Sequence, residues 1–324
     1  MLTRIFGKQS KIIFCVLFIA GIFGGLLLFA TAVKAILATS SVTVTNSLPV
    51  ASLGSINTDA ATMTLTEAAT ATATFTFTVT DNNGCSDINA HGSNKTIAKF
   101  YRTNVADGAA CAVNDANCYA MTCTGPTGCT PGGGDLDATF SCTASVQFYA
   151  DPTDTGSTYD ATTWSATATP RDAVGTDGTP NSDTIEMASL TALSLGEAPT
   201  IAYDALALNA NTGTTDETTT VTNTGNRTID TQVGGYGSIS EDTYSMVCTI
   251  GTIPVANEKY SLVAETAYAS KTALVTNATP NTVQTSLAQG AASTDIIYWG
   301  MGLPATGVGG TCGGKVVFTA VNDS

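Results

Sequence analysis

The chain has 324 residues, with 12 Lys+Arg against 26 Asp+Glu, a formal net charge of −14 and a single histidine. Only 12% of it is charged and 7% aromatic, while 43% is apolar and threonine alone makes up close to a fifth. Nucleic-acid binding is excluded because there is no basic face for phosphate, a coiled coil because Glu, Lys, Leu and Arg are too scarce, and little material remains for acid–base catalysis.

The N-terminus sets the compartment. Arg4, Lys8 and Lys11 precede an uncharged run from Ile12 to Val33, and Val33-Lys34-Ala35 offers a peptidase site after Ala35. Residues 1–35 therefore read as an export signal. The run is also about 22 residues long, enough to cross a bilayer as a helix, so a cleaved signal and an uncleaved anchor both fit. Under either reading the rest of the chain is outside the cytoplasm, because positive charge stays inside. Residues 12–33 are then the only expected membrane contact, and only if uncleaved. Cys15 sits in this run without the small-residue motif that lipid attachment requires. Residues 1–35 hold four basic residues and no acidic ones, so the remainder carries −18 and eight of the nine cysteines.

The length suits two domains, and the first is expected over residues 36–195. In Ala71–Thr80, Ala71, Ala73, Phe75, Phe77 and Val79 alternate with threonines, the period of a half-buried strand. Threonine suits the outer face, since its β-branch favours extended backbone and its hydroxyl stays wet without charge. Asp81-Asn82-Asn83-Gly84 then signals a turn. Residues 104–137 look like a Cys-rich insert, poor in apolar side chains and unable to pack a core. Alternation resumes at Ala138, Phe140, Cys142, Ala144, Val146 and Phe148, and again at Trp164, Ala166 and Ala168. A second domain is expected over residues 196–324. Its strand–turn units are Ile201-Ala-Tyr-Asp204, Thr218–Asn226 and Asp242–Ile250; Asn257–Leu274 is ambiguous between helix and strand. A closing hairpin is expected from Ile297, Trp299, Met301 and Leu303 against Val316, Phe318 and Ala320. Short strands at this spacing argue for an all-β fold of sandwiches, and Trp164 and Trp299 are expected as one core anchor in each.

Thr219-Thr220-Val221-Thr222-Asn223-Thr224-Gly225-Asn226 resembles a strand and turn of bacterial cell-surface immunoglobulin-like modules. Ile297–Pro304 followed by Gly310–Ala320 is similar to their terminal hairpin, and Phe77–Gly84 to another of their turns. The resemblance covers about a quarter of the chain. It implies two tandem immunoglobulin-like β-sandwich domains after the N-terminal hydrophobic export helix, in a structural, spacer or adhesive role. The Cys-rich insert and Cys312 depart from the pattern.

Eight cysteines in an exported chain read as a disulfide framework. Cys248 shares parity with Tyr244, Met246 and Ile250, and Cys312 with Val316 and Phe318, so both point inward and a bridge across the sandwich is expected. It would be worth about 4 kcal/mol in the chain-entropy model. Cys85, Cys111, Cys118, Cys123, Cys129 and Cys142 leave their pairing open. Asp81, Asn83, Asp87, Asp135 and Asp137 are calcium candidates, since calcium takes oxygen ligands from such loops, although Asp and Asn are equally ordinary turn formers. Asp151 with Asp154 forms a similar pair. No other cofactor is expected. His91 lies in a loop without a nucleophile elbow, so no catalytic residue is expected and the chain reads as non-enzymatic. Leu303-Pro304-Ala305-Thr306-Gly307 fits a sorting pattern but lacks the hydrophobic span that should follow, and reads as a turn. Asn94, Asn226 and Asn277 begin formal glycosylation sequons. The expectation is a bacterial envelope protein, extracellular or at the cell surface: a spacer, surface-layer-like component or filament subunit. Its partners would be envelope proteins or glycans, or further copies of itself. The alternative is a recognition module that binds a glycan or a surface protein through the Cys-stapled loop.

Overall fold

The computed structural model describes residues 38–88, 96–132, 134–196 and 199–323. The export segment, His91 and Asn94 lie outside them. The fold is all-β: among the described residues the helices are four single 3-10 turns, and none is long and apolar enough to cross a membrane. Residues up to Thr45 fall outside the compact unit that begins at Asn46.

The first half of that unit carries β1 (Val50–Ile56), β2 (Thr62–Met63), β3 (Thr70–Thr80), β4 (Ile97–Arg102), β5 (Cys118–Thr127), β6 (Asp137–Gln147), β7 (Trp164–Thr169) and β8 (Asn181–Met187). They pair in the order β1-β3-β6-β5-β4-β7-β8-β2. β5 is the corner. Its first residues pair with β4, from Tyr101↔Cys118 to Ala98↔Met121, and its later ones with β6, from Thr122↔Thr143 to Thr127↔Thr139. The opposite side is closed as well, because Gly54 N donates to Asn181 Oδ1, Ile56 N to Asp183 Oδ2 and Ala51 N to the Thr179 carbonyl. The alternation of β3 and β6 puts Phe75, Phe77, Val79, Phe140, Cys142 and Val146 inside, each fully buried. Phe77 stacks on Phe75 and Phe140, and Trp164 on Phe100.

The stretch expected as one coreless insert is not one. Cys118–Thr127 is β5, and it buries Tyr119 and Met121 in the same core. The paired strands on both flanks make it a strand despite its weak pattern. The insert is therefore two separate loops at opposite ends of β5.

The second half carries β9 (Leu193–Ser194), β10 (Glu217–Asn223), β11 (Ile229–Tyr236), β12 (Tyr244–Ile250), β13 (Thr252–Pro254), β14 (Glu258–Ser261), β15 (Thr272–Ala273), β16 (Asn281–Leu287), β17 (Thr294–Met301), β18 (Gly309–Gly313) and β19 (Lys315–Asn322). One sheet runs β15-β14-β17-β10-β9, a second β16-β11-β19 and a third β13-β12-β18. Val221, Ile229, Val233, Ile297 and Trp299 form the main core, and Ile253, Met301 and Cys248 a smaller one. β18 and β19 are one run of chain bent at Gly314, where a Cβ would lie 1.7 Å from the Ser245 carbonyl oxygen.

Two further expectations are corrected here. Ile201–Asp204 is not a strand but irregular chain. The closing hairpin does not form: β17 pairs with β10 and β14, whereas β19 pairs with β11. Residues 302–308 carry the chain from one sheet to the other, and the Leu303–Gly307 motif is spent on that crossing, with Leu303 N donating to the Ala210 carbonyl and the Pro304 carbonyl accepting from Asn209 N.

Candidate functional site

The eight cysteines after the export segment form four disulfides: Cys85–Cys129, Cys111–Cys118, Cys123–Cys142 and Cys248–Cys312. Cys248 and Cys312 are directly opposed on neighbouring strands of one sheet, so their bridge lies within a sheet and does not cross the sandwich as expected. Parity fixes which face a cysteine occupies but not which strand lies beside it. Cys123 and Cys142 are opposed in the same way on β5 and β6. Cys85–Cys129 ties the turn after β3 to the loop before β6, and Cys111–Cys118 closes a short loop at the start of β5.

The calcium candidates are scattered over turn duties. Asp81 Oδ1 accepts from Asn83 N at 2.8 Å, Asn83 Oδ1 from Ser47 N at 2.5 Å, Asp135 Oδ2 from Thr130 N at 3.0 Å and Asp137 Oδ1 from the Thr80 hydroxyl at 2.5 Å. Asp87 ends the 3-10 turn Cys85–Asp87. Burial raises the pKa of Asp81, the Asn83 amide opposes that rise, and Asp87 and Asp172 add to it. Among the described residues no three His, Cys, Asp or Glu side chains are grouped to hold a metal ion. Asp154 accepts from the amide and hydroxyl of Ser189. Asp151 holds Arg102 at 2.9 Å, and Arg102 also stacks on Tyr159. Tyr119, the one aromatic of the stapled region that could have faced a sugar, is buried, with its hydroxyl on the Asp115 carbonyl.

Two constellations include stretches named from sequence, but their roles could not be read there. The first joins the halves, and it is the Asn223-Thr224-Gly225-Asn226 turn. Asn226 is fully buried; its Nδ2 donates to the carbonyls of Ala150 (3.1 Å) and Ala188 (3.0 Å), and its Oδ1 accepts from Leu190 N at 2.6 Å. Thr224 donates its hydroxyl to Glu67 Oε1 at 2.7 Å and its amide to the Ala192 carbonyl, while its own carbonyl accepts from Ala68 N. A Cβ on Gly225 would lie 2.1 Å from the Leu190 carbonyl oxygen, so the motif's glycine permits this close approach. Gln289 Nε2 to Asp151 Oδ1 and Arg227 Nη2 to the Gly156 carbonyl complete the joint. A buried Asn226 is closed to glycosylation in the folded chain; Asn277 is occupied by Ser240 and Glu241.

The second is an open side of the second half. The irregular run Pro199–Leu206 passes β18 and β19 without pairing as a strand and leaves two cavities. One of about 330 Å³ lies between Leu195, Pro199, Ile201 and the start of β19; one of about 600 Å³ lies between residues 200–206 and Gly310–Gly314. The run is latched by Tyr203, whose hydroxyl donates to Glu258 Oε1 at 2.9 Å. Glu258 is buried, and burial pushes its carboxyl up to about 7, with the Tyr203 bond pulling the other way. Burial and the neighbouring Glu258 raise Tyr203 in turn. The sequence signal was slight: Glu258 opens the ambiguous Asn257–Leu274 stretch.

No family model matches the chain and no curated protein matches it. Among solved structures, one chain from work described as "Chaperone-tip adhesin complex is vital for synergistic activation of CFA/I fimbriae biogenesis" is similar over 79% of this chain and 77% of that one, at 10% identity and a TM-score of 0.27. At that level the likeness says nothing about what this chain does.

Proposed function

We propose that this is an exported bacterial envelope protein with a structural or adhesive role and no catalytic activity, built of two tandem immunoglobulin-like sandwiches behind the export segment. The observation that carries the reading is the cysteine chemistry: all eight cysteines beyond the export segment are paired, as expected of a chain that matures in an oxidising compartment. The acidic, threonine-faced strands and the hydrogen-bonded joint suit a stiff surface element better than a reaction centre. The recognition alternative is weakened by Tyr119, because sugar sites rely on exposed aromatic faces and this one is buried. The test is fractionation of producing cells, with protease shaving of intact cells and sequencing of the mature N-terminus. The expected result is an envelope-bound, protease-accessible chain that starts at Ile36 or retains its leader. A cytoplasmic chain with free thiols would overturn the reading.

A further inference from the structure

Two carboxylates of the first half, Asp81 after β3 and Asp172 after β7, are both fully buried. A circuit of bonds ties them to the start of the compact unit. Asp81 Oδ1 accepts from Asn83 N at 2.8 Å, and Asn83 Oδ1 accepts from Ser47 N. Asn46, the residue before, donates its Nδ2 to Asp172 Oδ2 at 2.7 Å. A backbone bridge between Ile88 and Asp172 closes the circuit.

The two carboxylates are not equally served. Asp172 receives three donors, the Asn46 amide and the backbone amides of Val174 and Thr176. Asp81 receives one, and its other oxygen, Oδ2, is buried without a partner among the described residues. After burial itself, the charges that act on Asp81 are those of Asp87 and Asp172, and both repel it. The ion pairs among the described residues are Arg102–Asp151, Arg171–Asp177 and Lys271–Asp216. Arg171, next to Asp172 in the chain, is therefore turned to Asp177. A bare carboxylate oxygen buried beside like charge is costly. A bound cation removes both costs at once, because it coordinates the oxygen and neutralises the pair.

We infer that Asp81, through Oδ2, and Asp172 hold a calcium ion. The donors are hard oxygens carried on loops, and calcium takes six to eight of these in irregular geometry, filling its remaining positions with backbone carbonyls and water. Magnesium asks for a near-ideal octahedron that such loops do not impose. Two carboxylates rather than three or four place the affinity at the weak end, roughly 10⁻⁴–10⁻³ M, the range of extracellular modules. The pair differs from the candidates read from sequence: Asp135 and Asp137 stay on their turn bonds, and Asp172 joins Asp81. The ion fastens Asn46-Ser47, the turn at Asp81–Gly84 and the loop at Asp172–Thr176 to one another, where the compact unit begins. The inference rests on the envelope reading only for the supply of calcium outside the cell.

The test uses the full chain in detergent, stripped with chelator and then returned to calcium or to magnesium. Calorimetry is expected to show the transition of the first half rising by about 2–4 °C in calcium at ten times its dissociation constant, and staying in place in magnesium. Asp81→Asn keeps the acceptor for Asn83 N and removes the repelled charge. Its transition in chelator is expected at or above that of the native chain, with no rise in calcium. Two measurements on the native chain need no variant: equilibrium dialysis should find one calcium bound at this site, and calcium should slow hydrogen exchange at the amides of Ser47 and Asn83. Equal melting in chelator and calcium, unchanged exchange at those two amides, or a calcium rise that survives Asp81→Asn would overturn the inference. Fractionation fails separately: a calcium-binding chain found in the cytoplasm would overturn the envelope reading and leave the site standing.

Discussion

The two halves solve one problem differently. The first closes its sheet on both sides, through the corner strand β5 and through the bonds between β1 and β8, around an apolar core, with Asp81, Asp151 and Asp172 also buried. Three disulfides staple it. The second half has one disulfide, leaves the outer edge of β19 without a partner strand among the described residues, and buries charge as the first half does. Lys271, with its side chain fully covered, pairs with Asp216 at 2.5 Å, and Glu258 sits under Tyr203. Each half buries an ion pair, Arg102–Asp151 in the first and Lys271–Asp216 in the second, but half-buried Phe318 forfeits part of its transfer energy. With three disulfides against one and the better covered core, the first half is the more rigid body and the second the more adaptable one.

The largest test of this contrast is removal of each tryptophan. Trp164 stacks on Phe100 at 4.8 Å and donates to the Asp151 carbonyl; Trp299 meets Tyr260 and Phe318 edge-on and donates to the Thr219 hydroxyl. Replacing either with alanine is expected to cost about 3–5 kcal/mol. Calorimetry should show Trp164→Ala lowering the transition of the first half and Trp299→Ala that of the second. Equal effects of both on a single transition would show that the halves do not differ in this way.

A smaller effect comes from Glu258. Its pKa in the fold, about 7, stands above the ordinary value of 4.5, so the folded chain holds the proton longer than the unfolded one. The stabilisation is fully present below about pH 4.5 and is lost as pH rises through about 7. The shift corresponds to up to about 3 kcal/mol. Glu258→Gln keeps an acceptor for Tyr203 and removes the titration. The difference in melting temperature between the variant and the native chain should be near zero at pH 4 and favour the variant at pH 8. A difference independent of pH would mean that Glu258 ionises freely and the latch is not buried as described.

Legibility from sequence followed the same division. β3 and β6 could be read directly, because ten residues of strict alternation leave one register that buries Phe75, Phe77 and Phe140. β5 could not, since Gly125-Pro126 and the cysteines Cys118 and Cys123 break its pattern and only the strands beside it make it a strand. Trp164 and Trp299 stood out as anchors by size alone. Sheet membership did not: nothing local to Thr294–Met301 or Lys315–Asn322 says that they join different sheets, and the face of Cys248 was readable while its neighbour was not. The open side of the second half was invisible for a related reason. It depends on Pro199–Leu206 staying off an edge, which is a property of Tyr203 reaching Glu258 across 55 residues.

The joint gives the smallest and most diagnostic effect. Asn223-Thr224-Gly225-Asn226 reads from sequence as a turn, and its glycine announces a close approach, but the partner comes from Ala150, Ala188 and Leu190 in the first half and the chain leading from it. Asn226→Ala leaves two buried carbonyls and one amide without their partner, a loss of about 2 kcal/mol, which should separate the two calorimetric transitions further. Asn226→Asp sharpens the point. It keeps the acceptor for Leu190 N but sets a carboxylate oxygen against the carbonyls of Ala150 and Ala188, so at neutral pH it should cost more than alanine, and less as pH falls and the acid can donate again. If aspartate were instead tolerated better than alanine, the joint would be held by the Leu190 contact alone and the two halves would be hinged rather than fixed.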